Sequence, residues 1–313
     1  MDCWGALAVL VLLASLGTVA GFLGRVWWLF ELACHFRAHY FTVLAAGTLA
    51  STAGQRYDEA IVSGLLALAN AGSILALYLP RQPARPDHRR TVRVWLLNVN
   101  FHSRAYGRTL QAIHDADPDL IVLMEVSRTW MEALRPLQAR YPHGSHLILE
   151  RGFGIALFSR VPLTRVEIRS VGPADLPSVI AHLVVEGHPL TLIGTHPLAP
   201  QSAQFTRLRD EQMLELARLA ASQADAVMLA GDFNTTSWST AFAEVLKVSG
   251  LRDSRLGFGL QPTWPAWLAP LRIPIDHALV SPQLIVRRRR VGPHVGSDHL
   301  PVLVEVSWAE APA

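Results

Sequence analysis

The sequence predicts a mixed α+β globular domain of two packed sheets flanked by helices, set behind an N-terminal helical membrane region. Half of the 313 residues are apolar and 17% are charged, where ordinary soluble domains carry about 25% charge. The apolar excess lies before residue 81, where the charges are Asp2, Arg25, Glu31, Arg37, Arg56, Asp58 and Glu59. After that point short β-rich runs alternate with helical ones, and strands outnumber helices. This divides the chain into a transmembrane helical region (1–80), a proline- and arginine-rich linker (81–90) and a globular domain (91–313). Disorder is excluded by the apolar content, and two cysteines, Cys3 and Cys34, exclude a disulfide scaffold. A net charge of +3 argues against a strongly basic nucleic-acid binder.

Trp4–Gly24 carries no charge and is long enough for one bilayer crossing, which takes about 20 residues. A cleaved signal peptide is the alternative. The run lacks a basic segment before it and exceeds a signal's apolar stretch, so a retained anchor is expected. Trp27 and Trp28 read as an interfacial anchor. Ala60–Leu79 is a second span, interrupted only by Asn70. Phe41–Gly54 is shorter and rich in small residues, which let helices approach closely in lipid. Three spans are favoured, with two spans and a re-entrant segment as the alternative. The expected location is the cell (inner) membrane, multi-pass. Arginine placement favours a cytoplasmic C-terminal domain.

In the globular part Val92–Val99 and Leu120–Met124 read as buried strands. Between them Tyr106–Ala116 has helical spacing through Leu110 and Ile113. Further strands are expected at Ile155–Ser159, Ser178–Val185, Leu190–Thr195, Ala226–Ala230, Pro274–Val280 and Pro301–Val306. Gln204–Ala221 is the clearest amphipathic helix, and another is expected near Ser239–Val248.

Polar residues stand at or near the ends of these apolar strands. They are Asn98-Val99-Asn100, Glu125, Thr195-His196, Gly231-Asp232-Phe233-Asn234, Ile275-Asp276-His277 and Ser297-Asp298-His299. Each has a plain explanation alone: Glu125 as a solvated glutamate, His196 as a satisfied strand-end histidine, Asp232 as a turn residue or helix cap. Six together argue for chemistry. Carboxylate and amide oxygens suit a hard divalent cation, Mg²⁺ or Mn²⁺, whereas zinc would favour cysteine clusters or close histidine pairs.

In that order these pieces resemble the signatures of the endonuclease/exonuclease/phosphatase superfamily, which includes DNase I, abasic-site endonucleases, neutral sphingomyelinases and inositol-phosphate 5-phosphatases. The resemblance runs from about Val92 to Val306. It implies a DNase I-like four-layer α/β/β/α sandwich and a Mg²⁺-dependent phosphoester hydrolase. It also implies roles: Glu125 as principal metal ligand with Asn98 beside it, and Asp298 in metal binding or substrate polarisation. Asp232 would orient or deprotonate water, and Asn234 would steady the transition-state oxygens. His299, oriented by Asp276, would contact the phosphate, with His196 near the leaving oxygen. Asn100 stands where some members carry Asp, which puts a two-metal mechanism in doubt.

From Thr91 onward there are 21 Lys+Arg against 20 Asp+Glu, and a nonspecific nuclease would be expected to be more basic. With a membrane anchor, this favours a lipid-linked phosphoester. A membrane-tethered nuclease is the alternative, and a non-catalytic binding module a more distant one. In plan the chain is similar to bacterial multi-span members such as teicoplanin-resistance membrane proteins, whose catalytic domain is exported, which opposes the arginine-based orientation. Pro262–Pro270, with Trp264 and Trp267, reads either as an apolar lip or as aromatic packing. Arg287–Arg290 reads as a solvated edge strand, with headgroup contact as the alternative.

Overall fold

A computed structural model describes residues 3–79, 86–149 and 152–309. Its N-terminal part comprises helix α1 (Cys3–Phe22), short α2 (Trp28–Ala33), a 3₁₀ turn (Cys34–Phe36), α3 (Arg37–Ala53) and α4 (Tyr57–Leu75). Trp4–Phe22 and Tyr57–Leu75 are long and apolar enough to cross a membrane, and 17% and 28% of their most apolar windows are buried. Leu13, Leu16, Leu65 and Leu68 therefore point outward.

The polar residues of these helices face one another. Buried Asn70 donates to Thr18 Oγ1 at 2.9 Å, and Thr48 and Ser63 share a 2.9 Å hydroxyl contact. Asn70, an interruption in sequence terms, is thus a bond between α1 and α4. The three long helices run up, down and up. The start of α1 lies near the α3–α4 turn, with Trp4 against Gly54. The opposite end carries the polar and main-chain bonds to the globular domain described below.

The globular elements follow as β1 (Pro86–Asn98), α5 (Tyr106–Ala116), β2 (Leu120–Met124), α6 (Arg128–Ala133), β3 (His143–Leu147) and β4 (Ile155–Ser159). Next come β5 (Leu163–Ser170), β6 (Pro177–Val185), β7 (His188–Thr195), α7 (Ala203–Ala221), β8 (Ala226–Asp232) and α8 (Thr240–Ser249). Strands β9 (Arg252–Asp253), β10 (Asp276–Val280), β11 (Leu284–Val291) and β12 (Val302–Ala309) complete the domain. β1 begins at Pro86, inside the stretch expected to be linker; residues 80–85 lie outside the described residues.

Two six-stranded sheets form, ordered β11-β12-β1-β2-β4-β3 and β5-β6-β7-β8-β10-β9. Alternation along the strands builds the layers. Val92, Val94 and Leu96 of β1 join Leu192, Met228 and Val304 between the sheets. Trp95 and Leu97 point the other way, onto Ile113 of α5 and Trp130 of α6. On the second sheet's outer face Ile180, Ile193 and Leu229 meet Met213 and Leu216 of α7 and Phe242 and Val245 of α8. This is the expected helix–sheet–sheet–helix sandwich. β11 is an edge strand, and Arg287 and Arg288 are exposed on it, but Arg289 is buried. Its guanidinium donates to the Asp276 carbonyl at 3.0 Å and to Ser254 Oγ at 3.1 Å, so the arginine run is not uniformly solvated.

Each sheet contains one parallel pair, β1 with β2 and β7 with β8. Both pairs end on the same rim, where the polar strand ends gather. Gly231, opposite Thr195 across β7–β8, has φ 151°, and a Cβ there would lie 1.9 Å from the Thr195 carbonyl oxygen. Gly231→Ala must therefore push the two strands apart beside Asp232. It is expected to cost about 3 kcal/mol, read as a fall of roughly 6–12 °C in the thermal midpoint of the detergent-solubilised chain.

Candidate active site

The rim encloses a cavity of about 500 Å³ lined by Asn98, Phe101, Glu125, Phe153, His196, Gln201, Asp232, Asn234, Trp264, Asp298 and His299, among others. Of the residues singled out from sequence, Asn98, Glu125, His196, Asp232, Asn234, Asp298 and His299 face it. Asp276 lies one step behind, opposite Asp232 in the β8–β10 register.

Asp232 is 1% exposed and is the hub. Its Oδ1 accepts from the Asn234 N–H at 2.9 Å and its Oδ2 from Asn98 Nδ2 at 3.1 Å. His196 Nε2 and His299 Nε2 stand 3.4 and 3.5 Å from the same Oδ2. Burial alone would raise the Asp232 carboxyl, but the His299 charge and the His196 hydrogen bond hold it well below the usual carboxylate range. The reading of Asp232 as a helix cap does not hold, because Ser239 caps α8 by accepting from the Phe242 N–H at 3.1 Å.

His299 lies between two carboxylates, with Nδ1 2.9 Å from Asp276 Oδ2 and Nε2 facing Asp232. Burial opposes its charge, yet Asp276 and then Asp232 push its pKa from 6.5 up to about 10. It is an imidazolium at neutral pH. Its stabilising contribution is complete below 6.5 and is lost as pH rises through about 10. For His196, burial is likewise outweighed by the Asp232 hydrogen bond and the charges of Asp232 and Glu125, which raise its pKa.

Glu125 follows β2 in the left-handed region at φ 61°, as does Asn234 after β8 at φ 51°. Such backbone is costly for non-glycine residues and concentrates at functional sites. Glu125 Oε1 accepts from Asn98 Nδ2 at 2.8 Å and Oε2 from the Phe101 N–H at 2.9 Å. Asn98, expected among the metal ligands, gives its amide N–H groups to Glu125 and Asp232, while its oxygen accepts from the Asn100 N–H at 3.0 Å. In this arrangement its amide aligns the two carboxylates Glu125 and Asp232. Asn100 Nδ2 donates to Asp298 Oδ1 at 2.8 Å, so the residue that departs from the family pattern steadies a neighbouring carboxylate.

Asp232, Asp276 and His299 also bring ligand-type atoms within 4.8 Å of one another. The histidine of that group is charged and has a carboxylate at each nitrogen, so it has no lone pair for a cation. The half-buried carboxylates lining the cavity are Glu125 and Asp298, oxygen donors suited to a hard divalent ion.

Some contributors were given no role from the sequence. The Trp264 indole N–H donates to Asp298 Oδ2 at 3.2 Å, which makes Trp264 part of the site, while Trp267 is 71% exposed beyond it. Ser297 Oγ donates to the Asn98 carbonyl at 2.6 Å and accepts from the His299 N–H at 3.0 Å, tying the first strand's end to the last motif. The Ser-Asp-His motif pointed to Ser297. Nothing in the Trp-Pro segment distinguished Trp264 from Trp267.

Residues 96–299 match the model of the Endonuclease/Exonuclease/phosphatase family. The chain belongs to this family. Its members are generally hydrolases of phosphoester bonds and typically depend on a divalent metal. Among solved structures it is similar to an endonuclease/exonuclease/phosphatase from Beutenbergia cavernae DSM 12333, with a TM-score of 0.59, 21% identity, and 72% of this chain and 73% of that one covered. It is similar to humanized D. rerio TDP2, with a TM-score of 0.58, 18% identity and coverage of 69% and 99%. It also resembles the human Nocturnin catalytic domain, solved with a bound sulfate anion, with a TM-score of 0.57, 18% identity and coverage of 72% and 100%. These likenesses establish the fold. No curated protein matches the chain.

If the cationic form of His299 is the active one, Asp276→Asn should shift the alkaline limb of the pH–rate profile. Asp276 is the larger source of the raised pKa, so its neutralisation is expected to move that limb down by about one unit or more. Initial rates between neutral and strongly alkaline pH check this.

Proposed function

We propose that the protein is a membrane-anchored, Mg²⁺-dependent phosphoester hydrolase acting on a lipid-linked or headgroup phosphate, with Mn²⁺ as the alternative ion. The hydrolase reading rests on the convergence of an ionised, buried Asp232 with a cationic His299 and the oxygen donors Glu125 and Asp298 in one cavity. A phosphodiester repels hydroxide, so a catalyst must neutralise charge and place water in line with the leaving oxygen. Glu125 and Asp298 would hold the cation, which supplies Lewis-acid polarisation of a phosphoryl oxygen.

The remaining chemistry belongs to this chain's own side chains. Asp232 is held as an acceptor and orients water. His299, kept in place by Asp276, presents positive charge to the phosphate, and Asn234 offers an amide donor to developing oxyanion charge. His196, whose pKa is raised against burial by Asp232 and Glu125, is suited to protonate the leaving oxygen.

The lipid reading is supported by the segment between residues 262 and 274. Its Trp264 lines the catalytic cavity. Pro262, Leu271 and Ile273 line a separate cleft of about 440 Å³ against Ala38, His39, Thr42 and Val43 at the start of α3. The catalytic rim and the apolar helices therefore share one end of the molecule, with Trp267 and Leu271 exposed beside them. Three antiparallel crossings by α1, α3 and α4 fit an arrangement in which the globular domain sits at one membrane face, and the near-neutral charge of that domain disfavours a nuclease.

Asp232→Ala and His299→Ala are each expected to lower Mg²⁺-dependent turnover of bis-p-nitrophenyl phosphate by about a thousandfold or more. Chelation should abolish wild-type activity and Mg²⁺ restore it. Equal inactivity of wild type and both variants with Mg²⁺ and Mn²⁺ would leave a binding module as the better reading. Lipid phosphoesters in mixed micelles should be hydrolysed where plasmid DNA stays intact; nicked plasmid with lipids untouched would favour the nuclease.

A further inference from the structure

The catalytic loop after β8 is held from behind by the N-terminal helical region. Arg209 of α7 is fully buried. Its Nη1 donates to the Asn234 carbonyl at 3.0 Å, its Nη2 to Glu31 Oε1 of α2 at 3.1 Å, and its Nε to Asp210 Oδ1 at 2.8 Å. The same Glu31 oxygen accepts from Thr235 Oγ1 at 3.2 Å, and His35 Nδ1 lies 3.1 Å from Thr236 Oγ1. Thr235 and Thr236 are therefore tied directly to the segment joining α1 and α3, and Asn234 is tied to it through Arg209. Glu31 is 3% exposed; Arg209 and Thr235 both bond its Oε1, and its Oε2, without a hydrogen-bond partner, faces His35 Nε2 at 3.7 Å. Glu31, Cys34 and His35 also form a compact buried group. The Arg209 guanidinium is shared between Glu31 and Asp210, so this group joins the N-terminal region to α7 and the loop after β8.

Asn234 sits in left-handed backbone, and its side chain donates to the Pro197 carbonyl at 3.0 Å and stands 3.3 Å from His196 Nε2. Asparagine tolerates this region better than most residues, but the direction of its side chain also depends on the bonds that hold the loop. The Arg209 bond to its carbonyl is one. Trp238 Nε1 to the Ser73 carbonyl at 3.3 Å, and the Gly257 and Gly259 N–H groups to the Leu77 carbonyl at 2.9 Å each, add main-chain anchorage at the end of α4.

We propose that Glu31, acting through Arg209 and Thr235, is a positioning residue for Asn234, so that the membrane-proximal helical region is a working part of the hydrolytic site. The kinetic part of this inference rests on the hydrolase reading above; the geometric part does not.

The test uses the full chain in detergent with Mg²⁺ and bis-p-nitrophenyl phosphate, a soluble diester that needs no membrane to reach the cavity. Glu31→Ala is expected to lower kcat about tenfold or more, a range that small misplacements reach, with KM within about twofold. Glu31→Gln, which keeps an oxygen acceptor, should recover part of the loss. Amide hydrogen exchange across residues 231–236 should be faster in Glu31→Ala than in wild type at temperatures where both remain folded. A purely structural role would instead lower the unfolding midpoint while leaving kcat per folded molecule and local exchange unchanged, and that result overturns the proposal. Should Glu31→Ala not fold, Thr235→Val, which removes one hydroxyl, is read in the same two ways. A wild-type chain that turns over no diester sinks the hydrolase reading, whereas the exchange comparison still decides whether Glu31 positions the loop.

Discussion

The site depends on keeping one carboxylate ionised inside the protein. Asp232 is almost wholly removed from solvent, where an uncompensated charge would be untenable. What makes it tolerable is an array of donors: the Asn98 amide, the Asn234 N–H, and the two histidines His196 and His299. The compensation is mutual. Asp232 raises the pKa of both histidines, and they lower its own. Remove one member and its neighbours are left with buried charge or unmatched hydrogen-bonding groups, so the array holds together as a unit.

That unit exists because of the sandwich. Asn98 comes from the first sheet and Asp232 from the second, and they meet because β1–β2 and β7–β8 both run toward the same rim across a core packed with Val, Leu, Ile and Met. β10 runs the other way, so Asp276, its first residue, lands beside Asp232, its sheet partner. His299 arrives on the segment before β12 and is fixed through Ser297 to the end of β1. The two-sheet architecture does not perform chemistry; it sets six separate chain segments at one place with little freedom to move.

The elements legible in the sequence are those whose periodicity and burial agree. β2, β4 and α5 match their expected limits because both faces of the strands are buried and the helix shows one apolar stripe. α7 is off by one residue at its start, where Ser202 caps it by accepting from the Phe205 N–H at 3.1 Å. β3 (His143–Leu147), with two histidines, a glycine and a serine, and the largely solvated β5 lack that pattern, and their pairing comes from neighbours rather than composition. The candidate site was legible for a related reason: polar residues at the ends of apolar strands are conspicuous. Glu31 and Arg209 were not. Glu31 resembled an incidental charge between two apolar runs and Arg209 an ordinary arginine on an amphipathic helix, and their bond spans a separation no local pattern encodes. Arg289 is similar, since three identical neighbours in sequence concealed the one that turns inward.

The docking of the helical region also bears on substrate access. A domain carried on a flexible tether could sample many orientations, and its site would then see soluble and membrane-bound esters alike. Here the segment joining α1 and α3, the end of α4 and the start of α3 all contact the catalytic rim or the loops next to it. The cavity mouth is thereby held in a fixed relation to the apolar helices. On the proposed membrane-anchored reading, with α1 and α4, the two helices long and apolar enough to cross, in a bilayer, that relation would set the mouth near the membrane surface. If the proposed lipid reading holds, a headgroup phosphate would lie close to Asp232 and His299, whereas a nucleic-acid duplex would meet a domain with almost no net positive charge to attract it. On the proposed reading, the bonds that would position Asn234 also hold the domain in a fixed relation to the apolar helices.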